Sequence, residues 1–509
     1  MTPPFQVVWF KRDLRIHDHQ PLLEASKCGP VLPLYVVEPH FWAQPDASAR
    51  QWEFCRECLE ELQQELTALG QPLVIRVGEP TTVLRSLLRQ GGIAKLWSHE
   101  ETGNSWTYKR DRLVRRWLSE QGIPRQESPN NGVIRRLHHR NGWASMWQKR
   151  MGAERVPAPD FLLPISGLES AQLPTTAELD LQSDLCPDRQ RGGRIAALEL
   201  LDSFLDSRGR NYARELSSPL TAFRSCSRLS AHLTYGTVSM REVSQFVRER
   251  SCSPAFIERL HWHCHFIQKL ESQPSLESQN AHRAYDGICK TEPERLKAWA
   301  DGRTGWPFVD ACMRALRHTG WINFRMRAML MSVASYHLWI DWRDSGEVLA
   351  RLFVDYEPGI HWNQCQMQAG TTGINTVRIY NPIKQGLDHD PQGVFIRRWV
   401  PEMSDVPLVH LHTPWTMNDK DQQLARCVLA RDYPLPLIDH EDAARQARKR
   451  IWAVRHGESY QQEADAIQLK HGSRRRRRVD SRPTNQGCLK NQAPGQLNLN
   501  LSDPQINSG

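Results

Sequence analysis

GRTGWPFVDACMRALRHTGWINFRMRA, residues 302–328, is the densest run of structural signals in the chain. It reads as a loop, a helix over 306–319, a tight turn, and a second helix over 323–339. That reading leaves Arg314, Arg325 and Arg327 beside the apolar faces of helices, where uncompensated charge is expensive. Each guanidinium therefore needs an anion, either a carboxylate or a bound phosphate. Asp355 and Glu357 supply acids in LFVDYEPGIHWNQCQMQAGTTGINTVRIYNPIKQG, residues 352–386. Taken alone, the pattern describes a salt-bridged helical core.

Outward from this stretch the helical signal continues. Helices are expected over 192–207, 240–250, 255–271, 294–301 and 345–354, with almost no strand signal between them. The first 121 residues differ. Short apolar runs at 6–10 (QVVWF), 31–37 (VLPLYVV), 73–77 (LVIRV) and 95–99 (KLWSH) alternate there with helical stretches. Such alternation predicts an α/β, doubly wound parallel sheet with helices on both faces and a ligand site at the strands' carboxyl ends. No GxGxxG follows the first strand, so the dinucleotide fingerprint is missing from it. The expected organisation is an α/β domain over 1–135, a linker over 136–191, a mainly helical domain over 192–465, and a disordered basic tail over 466–509.

Composition narrows the classes. The 509 residues are 39% hydrophobic and 24% charged, as in a soluble globular protein. Of the net charge of +9, six units lie beyond residue 469, where eight basic residues face two acidic ones. Five consecutive arginines at 474–478 either bind phosphates or keep that tail solvated. No run of 18 apolar residues exists, which excludes a membrane-spanning helix. The start lacks the apolar block of a secretory signal, and twelve scattered cysteines read as reduced thiols, so a cytoplasmic protein is expected. The 18 tryptophans outnumber 14 phenylalanines and 10 tyrosines. That surplus asks for a role, because a buried indole must use its N–H.

Four segments answer it together. WFKRDLRIHD at 9–18, SCSRLSAHLTYGTVSMRE at 225–242, the 302–328 stretch, and RIYNPIKQGLDHDPQGVFIRRWVPEM at 378–403 resemble the photolyase/cryptochrome flavoproteins, in order, over roughly residues 7–460. The resemblance implies an antenna-type α/β domain and a helical domain holding a U-shaped FAD. It also implies blue-light electron transfer from reduced flavin, for repair of ultraviolet-damaged pyrimidine dimers or for signalling. Tyr212 and the turn Cys226, Ser227, Arg228, Leu229, Ser230 stand where the family holds the FAD phosphates, with Cys226 replacing the usual Thr. Hydroxyls and backbone N–H groups on such a turn suit a pyrophosphate. Arg327 and Asp355 resemble the family's ion pair against the isoalloxazine, with Tyr356 and Glu357 alongside.

Departures from the family pattern concern electron supply and substrate. His361 replaces the Asn that faces the flavin nitrogen protonated on reduction. Of the three-Trp electron wire, Trp299 and Trp342 are read as the outer members, while the flavin-proximal member is Cys365. Trp362, three residues earlier, is either a substitute relay or a plain core residue. In the substrate helix Trp262 is retained to stack on a flipped pyrimidine pair, but Arg259 replaces the acid that contacts the dimer. His263 lies beside it, and Met367 replaces an aromatic contact. Asn323, Phe324 and Ala328 stand where the other repair branch carries histidines, and Arg325 matches a DNA-contacting Arg. Expected DNA contacts are thus Arg259, Trp262, His263, Phe324 and Arg325.

No metal is expected. His261 and His265, four apart on a helix, read as packed residues, and Cys55 and Cys58 as one helix face. The segment 99–111, HEETGNSWTYKRD, carries Trp106 and Thr107 in place of a folate's polar ligands, leaving an antenna chromophore of unknown identity, or none. The leading reading is a photolyase acting on ultraviolet-damaged single- or double-stranded DNA. Its alternative is a cryptochrome-like blue-light photoreceptor without repair activity.

Overall fold

A computed structural model describes residues 4–250 and 253–472; the arginines at 474–478 lie outside them. The expected sheet is present, with one strand more. β1 (Phe5–Phe10), β2 (Val31–Val37), β3 (Val74–Val77), β4 (Ile93–His99) and β5 (Arg125–Ser128) form a parallel sheet in the order β3-β2-β1-β4-β5. β1 and β2 are buried along their whole length, which is why they read as continuous apolar runs. β5, sequence RQES, pairs Leu96 with Arg125 and His99 with Ser128 at the sheet edge. An edge strand needs backbone partners and no apolar run, so pattern alone missed it.

The helices α1 (Gln20–Ser26), α2 (Ala49–Ala68), α3 (Pro80–Gln90) and α4 (Ser105–Glu120) cover the sheet faces. The opposite edge is covered by the linker: Ala171 N–H donates to Ile75 O at 3.0 Å, and Ser170 Oγ accepts from Ile75 N at 2.9 Å. Paired edges do not recruit other chains.

Seven helices of the second domain position the site: α5 (Ser230–Tyr235), α6 (Pro254–Ser272), α7 (Pro307–Thr319), α8 (Phe324–Ser332), α9 (Trp342–Leu352), α10 (Pro358–Ala369) and α11 (Glu458–His471). The helix expected to reach 339 leaves α geometry earlier, through a π-helical turn over Val333–His337, and Trp339 at φ 56° stops it. α10 was not anticipated, because its apolar residues are all-round rather than striped. Pro358 opens it, Glu357 accepts from Gly359 N, and it packs against α6 and α8. α11 continues to His471, beyond the expected end of the helical domain at 465.

Polar side chains on α2 tie the domains together. Arg50 donates to the carbonyls of Leu316 (3.3 Å) and Leu352 (3.0 Å), and Gln51 to those of Ala350 (2.8 Å) and Phe353 (3.1 Å). These carbonyls end α7 and α9, where helices lack internal donors. Tyr235 and Val354 share one apolar cluster with Phe54 and Leu62, so the interface is continuous with a core.

Candidate functional site

A cavity of about 1250 Å³, counting its open mouth, lies among α5, α6, α8, α9 and α10. Arg259 and His263, one turn apart on α6, face it from one side; Phe324, Arg327 and Ala328 on α8 face it from another. Tyr212, the turn residues Cys226, Ser227, Arg228 and Ser230, and Asp355, Tyr356, Glu357 and His361 complete the wall. Leu229 is buried as the cap residue of α5 and does not reach the cavity.

Three arginines, Arg228, Arg259 and Arg327, and two carboxylates, Asp355 and Glu357, line the cavity. Arg327 makes a two-armed pair with buried Asp355, at 3.0 and 2.8 Å, and lies 4.0 Å over the Phe353 ring. Arg228 adopts φ 64° and stacks 4.3 Å over Trp321 and 5.0 Å over Phe223. Burial pulls its pKa down to about 10, and among the described residues no carboxylate bonds it. Glu357 turns away from Arg327 toward the α/β domain, where Arg12 donates to it at 3.2 Å and to Tyr356 O at 2.8 Å. Arg12, inside the WFKRDLRIHD segment, was not singled out beforehand, since nothing local shows that its loop reaches the other domain.

Polar atoms along the wall test what the cavity holds. Arg228 Nε, Ser230 Oγ, His263 Nδ1, Asn323 Oδ1 and both amide atoms of Gln364 are buried without a protein partner. Each costs about 1–3 kcal/mol while unbonded. Orphans this numerous, facing one space beside unpaired Arg228, fit a large, partly anionic ligand. A flavin dinucleotide is such a ligand: Arg228, Ser227 and Ser230 would hold its diphosphate, and Arg327, Asp355 and His361 its ring. Gln364 escaped the sequence reading because a lone glutamine carries no motif.

His361 is held as a neutral ring. Its Nε2 lies 2.8 Å from Gly346 O, which only accepts, so Nε2 carries the proton. Burial lowers its pKa to about 4, His263's to about 4 and His232's to about 3. These groups stay neutral in the folded chain but take a proton when unfolded below about 6.5, so acidification favours unfolding. Stability should therefore be complete above pH 6.5 and fall toward pH 4, each site adding up to about 1.4 kcal/mol per pH unit. Thermal melts from pH 7 to 4.5 check this; an unchanged midpoint contradicts it.

Several expected site residues are not brought to the cavity. Trp262 packs on His265 (4.8 Å) and Phe266 (5.8 Å) and is absent from the lining. Three residues beyond Arg259 a helix has turned about 300°, so position 262 lies about 60° from 259 and about 100° from 263, at the margin of the side those two share. Arg325 faces a separate open groove of about 2060 Å³ with Arg378, Lys384, Arg448, Arg455 and Asp465. Trp342 and Trp362 are in ring contact at 5.9 Å, and Trp362 touches His361 at 4.8 Å. Trp299 is fully buried in the core and, among the described residues, touches neither. Trp299 is therefore not joined by ring contact to the Trp342–Trp362 pair. Met367 likewise does not line the cavity.

Two further places hold candidate chemistry. A cleft of about 770 Å³ at the carboxyl ends of β1, β2 and β4 is walled by Trp9, Phe41, Trp42 and the charged group Lys11, Glu38, Glu101 and Arg110. Asp13, His19 and His99 converge in ligand-like fashion, but His19 Nδ1 accepts from Leu22 N, so its Nε2 is protonated and donates to Asp13 at 3.0 Å. A protonated nitrogen cannot ligate, and the cluster fastens the loop after β1. His261 lies between Trp143 and Trp147, at 4.8 and 5.1 Å, as a packed ring.

A doubly wound domain is thus docked on a helical domain, and a cavity carrying three arginines opens among the helices of the second. Residues 256–453 match the family model described as the FAD binding domain of DNA photolyase, and residues 6–141 the model described as DNA photolyase. The chain is 30% identical to a deoxyribodipyrimidine photo-lyase of Streptomyces griseus, over 86% of this chain and 97% of that protein. It is 27% identical to cryptochrome-2 of Gallus gallus, over 86% and 81% respectively. A solved archaeal photolyase from Sulfolobus tokodaii with two FAD molecules superposes with a TM-score of 0.74 at 27% identity, covering 88% of this chain and 99% of that one. The chain belongs to the photolyase/cryptochrome family, and its cofactor is FAD.

Proposed function

We propose that the protein is a light-driven photolyase that splits ultraviolet-induced pyrimidine dimers in DNA. The observation that carries this reading is the basic groove containing Arg325, which begins one residue beyond Phe324 in the cavity wall. Arginines and a lysine along a groove neutralise backbone phosphates. The adjoining cavity offers Arg259, Phe324, the unpaired amide oxygen of Asn323 and the unpaired amide group of Gln364 to an extruded base pair. Flipped bases are held by such stacking and edge hydrogen bonds. Phe324, with Arg259 5.6 Å over its ring, replaces Trp262 as the aromatic surface available for stacking.

When bound, reduced flavin supplies the electron that cleaves the dimer. The chain's own residues bind and orient: Arg327, fixed by Asp355, keeps a cation at the ring, and buried Glu357 anchors the α10 start to Arg12. His361, with its Nε2–H committed to Gly346, can only accept at its other nitrogen. The cleft at the sheet's carboxyl ends is the place for an antenna chromophore, flanked by Trp9, Phe41 and Trp42. Ten free thiols among the described residues suit a reducing compartment such as the cytoplasm.

Illuminating the flavin-loaded protein with reductant and dimer-containing single- and double-stranded DNA should remove dimers from at least one substrate. Intact dimers in both, beside a normal flavin spectrum, would establish the photoreceptor reading instead. Arg259, standing where a dimer-contacting acid is expected, is the feature that favours that alternative.

A further inference from the structure

Cys365 leaves the flavin cavity without the indole expected to feed it electrons. Burial keeps its thiol protonated, and a neutral thiol is a poor one-electron relay. The wall nevertheless contains a redox-capable ring. Tyr356 borders both the flavin cavity and the cleft of the α/β domain. Its hydroxyl donates to Asp46 Oδ2 at 2.6 Å, and Asn104 Nδ2 donates to the same oxygen at 3.2 Å. Asp46 is 8% exposed, so water does not compete for that proton. The Tyr356 ring meets His361 edge-on at 5.2 Å and Trp362 at 6.5 Å.

A phenol loses an electron readily only when its proton leaves in the same event, because the phenol radical cation is a very strong acid. A fixed acceptor within hydrogen-bond reach meets that need. Asp46 comes from the α/β domain and Tyr356 from the helical domain, so docking of the two domains assembles the pair. Trp362 and Trp342, in edge-on contact behind it, form a competing chain that needs no proton acceptor.

We propose that Tyr356 and Asp46 form a proton-coupled electron donor to the flavin cavity, in place of the indole missing at Cys365. The inference rests on the flavin reading above. One electron leaves the Tyr356 ring for an oxidised flavin excited by blue light. The O–H bond breaks and its proton passes to Asp46 Oδ2, leaving a neutral tyrosyl radical and a neutral carboxyl. A thiolate reductant then returns one electron, becoming a thiyl radical, and the proton goes back from Asp46 to the phenolate oxygen.

The test is flash illumination of the FAD-loaded full chain, read by transient absorption and electron paramagnetic resonance. A tyrosyl radical should form in the wild type, more slowly in deuterium oxide. Tyr356→Phe should abolish that signal, and Asp46→Asn should remove the isotope effect while lowering the yield. Trp362→Phe should leave the tyrosyl signal in place. Should Tyr356→Phe fail to hold flavin, Asp46→Asn, which keeps shape and ring, decides the matter. An indole radical insensitive to deuterium and to Asp46→Asn, and lost in Trp362→Phe, overturns the inference while leaving the flavin reading intact. A folded protein that takes up no flavin overturns both.

Discussion

Replacing Gly236 with alanine is expected to separate the two domains and empty the flavin cavity. Gly236 ends α5 at φ 73°, in the left-handed region that costs a residue with a Cβ about 1–2 kcal/mol. The added Cβ would stand 2.4 Å from Arg12 O and 2.6 Å from Asp13 Cα. Both are backbone atoms of the loop after β1, which Leu14 N→Tyr235 O (3.1 Å) and Arg15 Nη1→Gly236 O (2.9 Å) clamp onto α5. Relieving the overlap means lifting that loop, and with it Arg12 from Glu357 and Tyr356. Overpacking of this kind adds about 1–3 kcal/mol, so a total near 2–5 kcal/mol is expected. Gly122→Ala is the control: φ there is 69°, but its Cβ would meet nothing within 4 Å. The melting midpoint and flavin-to-protein ratio should drop far more for Gly236→Ala; equal losses in the two variants would refute the clash.

Asp355→Ala should be the most damaging single change in the cavity. Removing one partner of a buried ion pair costs about 3–5 kcal/mol, because the other charge is stranded. Arg327 keeps 24% exposure against 3% for Asp355, which places the cost near the lower end of that range. The freed guanidinium would also move from its place over Phe353, so flavin affinity should fall by at least about tenfold, or 1.4 kcal/mol. A double variant separates the two effects. Replacing both partners with apolar residues, Arg327→Leu with Asp355→Leu, should recover most of the stability, since no stranded charge remains. It should not recover flavin. If flavin binding returned with stability, the pair would be merely structural.

Much of the fold was legible because its signals are local. β1 and β2 are buried throughout and almost wholly apolar, and the α2, α3 and α4 stretches are helix-periodic, so strand–helix alternation led to the doubly wound sheet. β5 and α10 were not legible: the first is polar because it sits at an edge, and the second is buried on all sides, which erases periodicity. Most of the turn at 226–230 and the Arg327–Asp355 pair, both singled out through the family resemblance, come together at one cavity. Trp262 and Arg325 lie on the expected helices but do not line the cavity, and which side chains do so depends on how each helix rolls against its neighbours.

The sequence by itself determined that this chain is an α/β domain followed by a helical domain, and its resemblance to the photolyase/cryptochrome family implied the flavin and the indole missing at Cys365. The first statement needs only periodicity, the others only residue identity in register with the family's motifs. What only the tertiary structure decided is which side chains meet across the domain boundary. Arg12 reaches Glu357, Asp46 accepts a hydrogen bond from Tyr356 310 residues away, and Gly236 lies against the backbone of the loop after β1. Such contacts join positions hundreds of residues apart, and a hydrogen bond depends on distances of tenths of an ångström. No local pattern encodes those distances; the packing of α5 and α10 against the sheet's carboxyl end sets them.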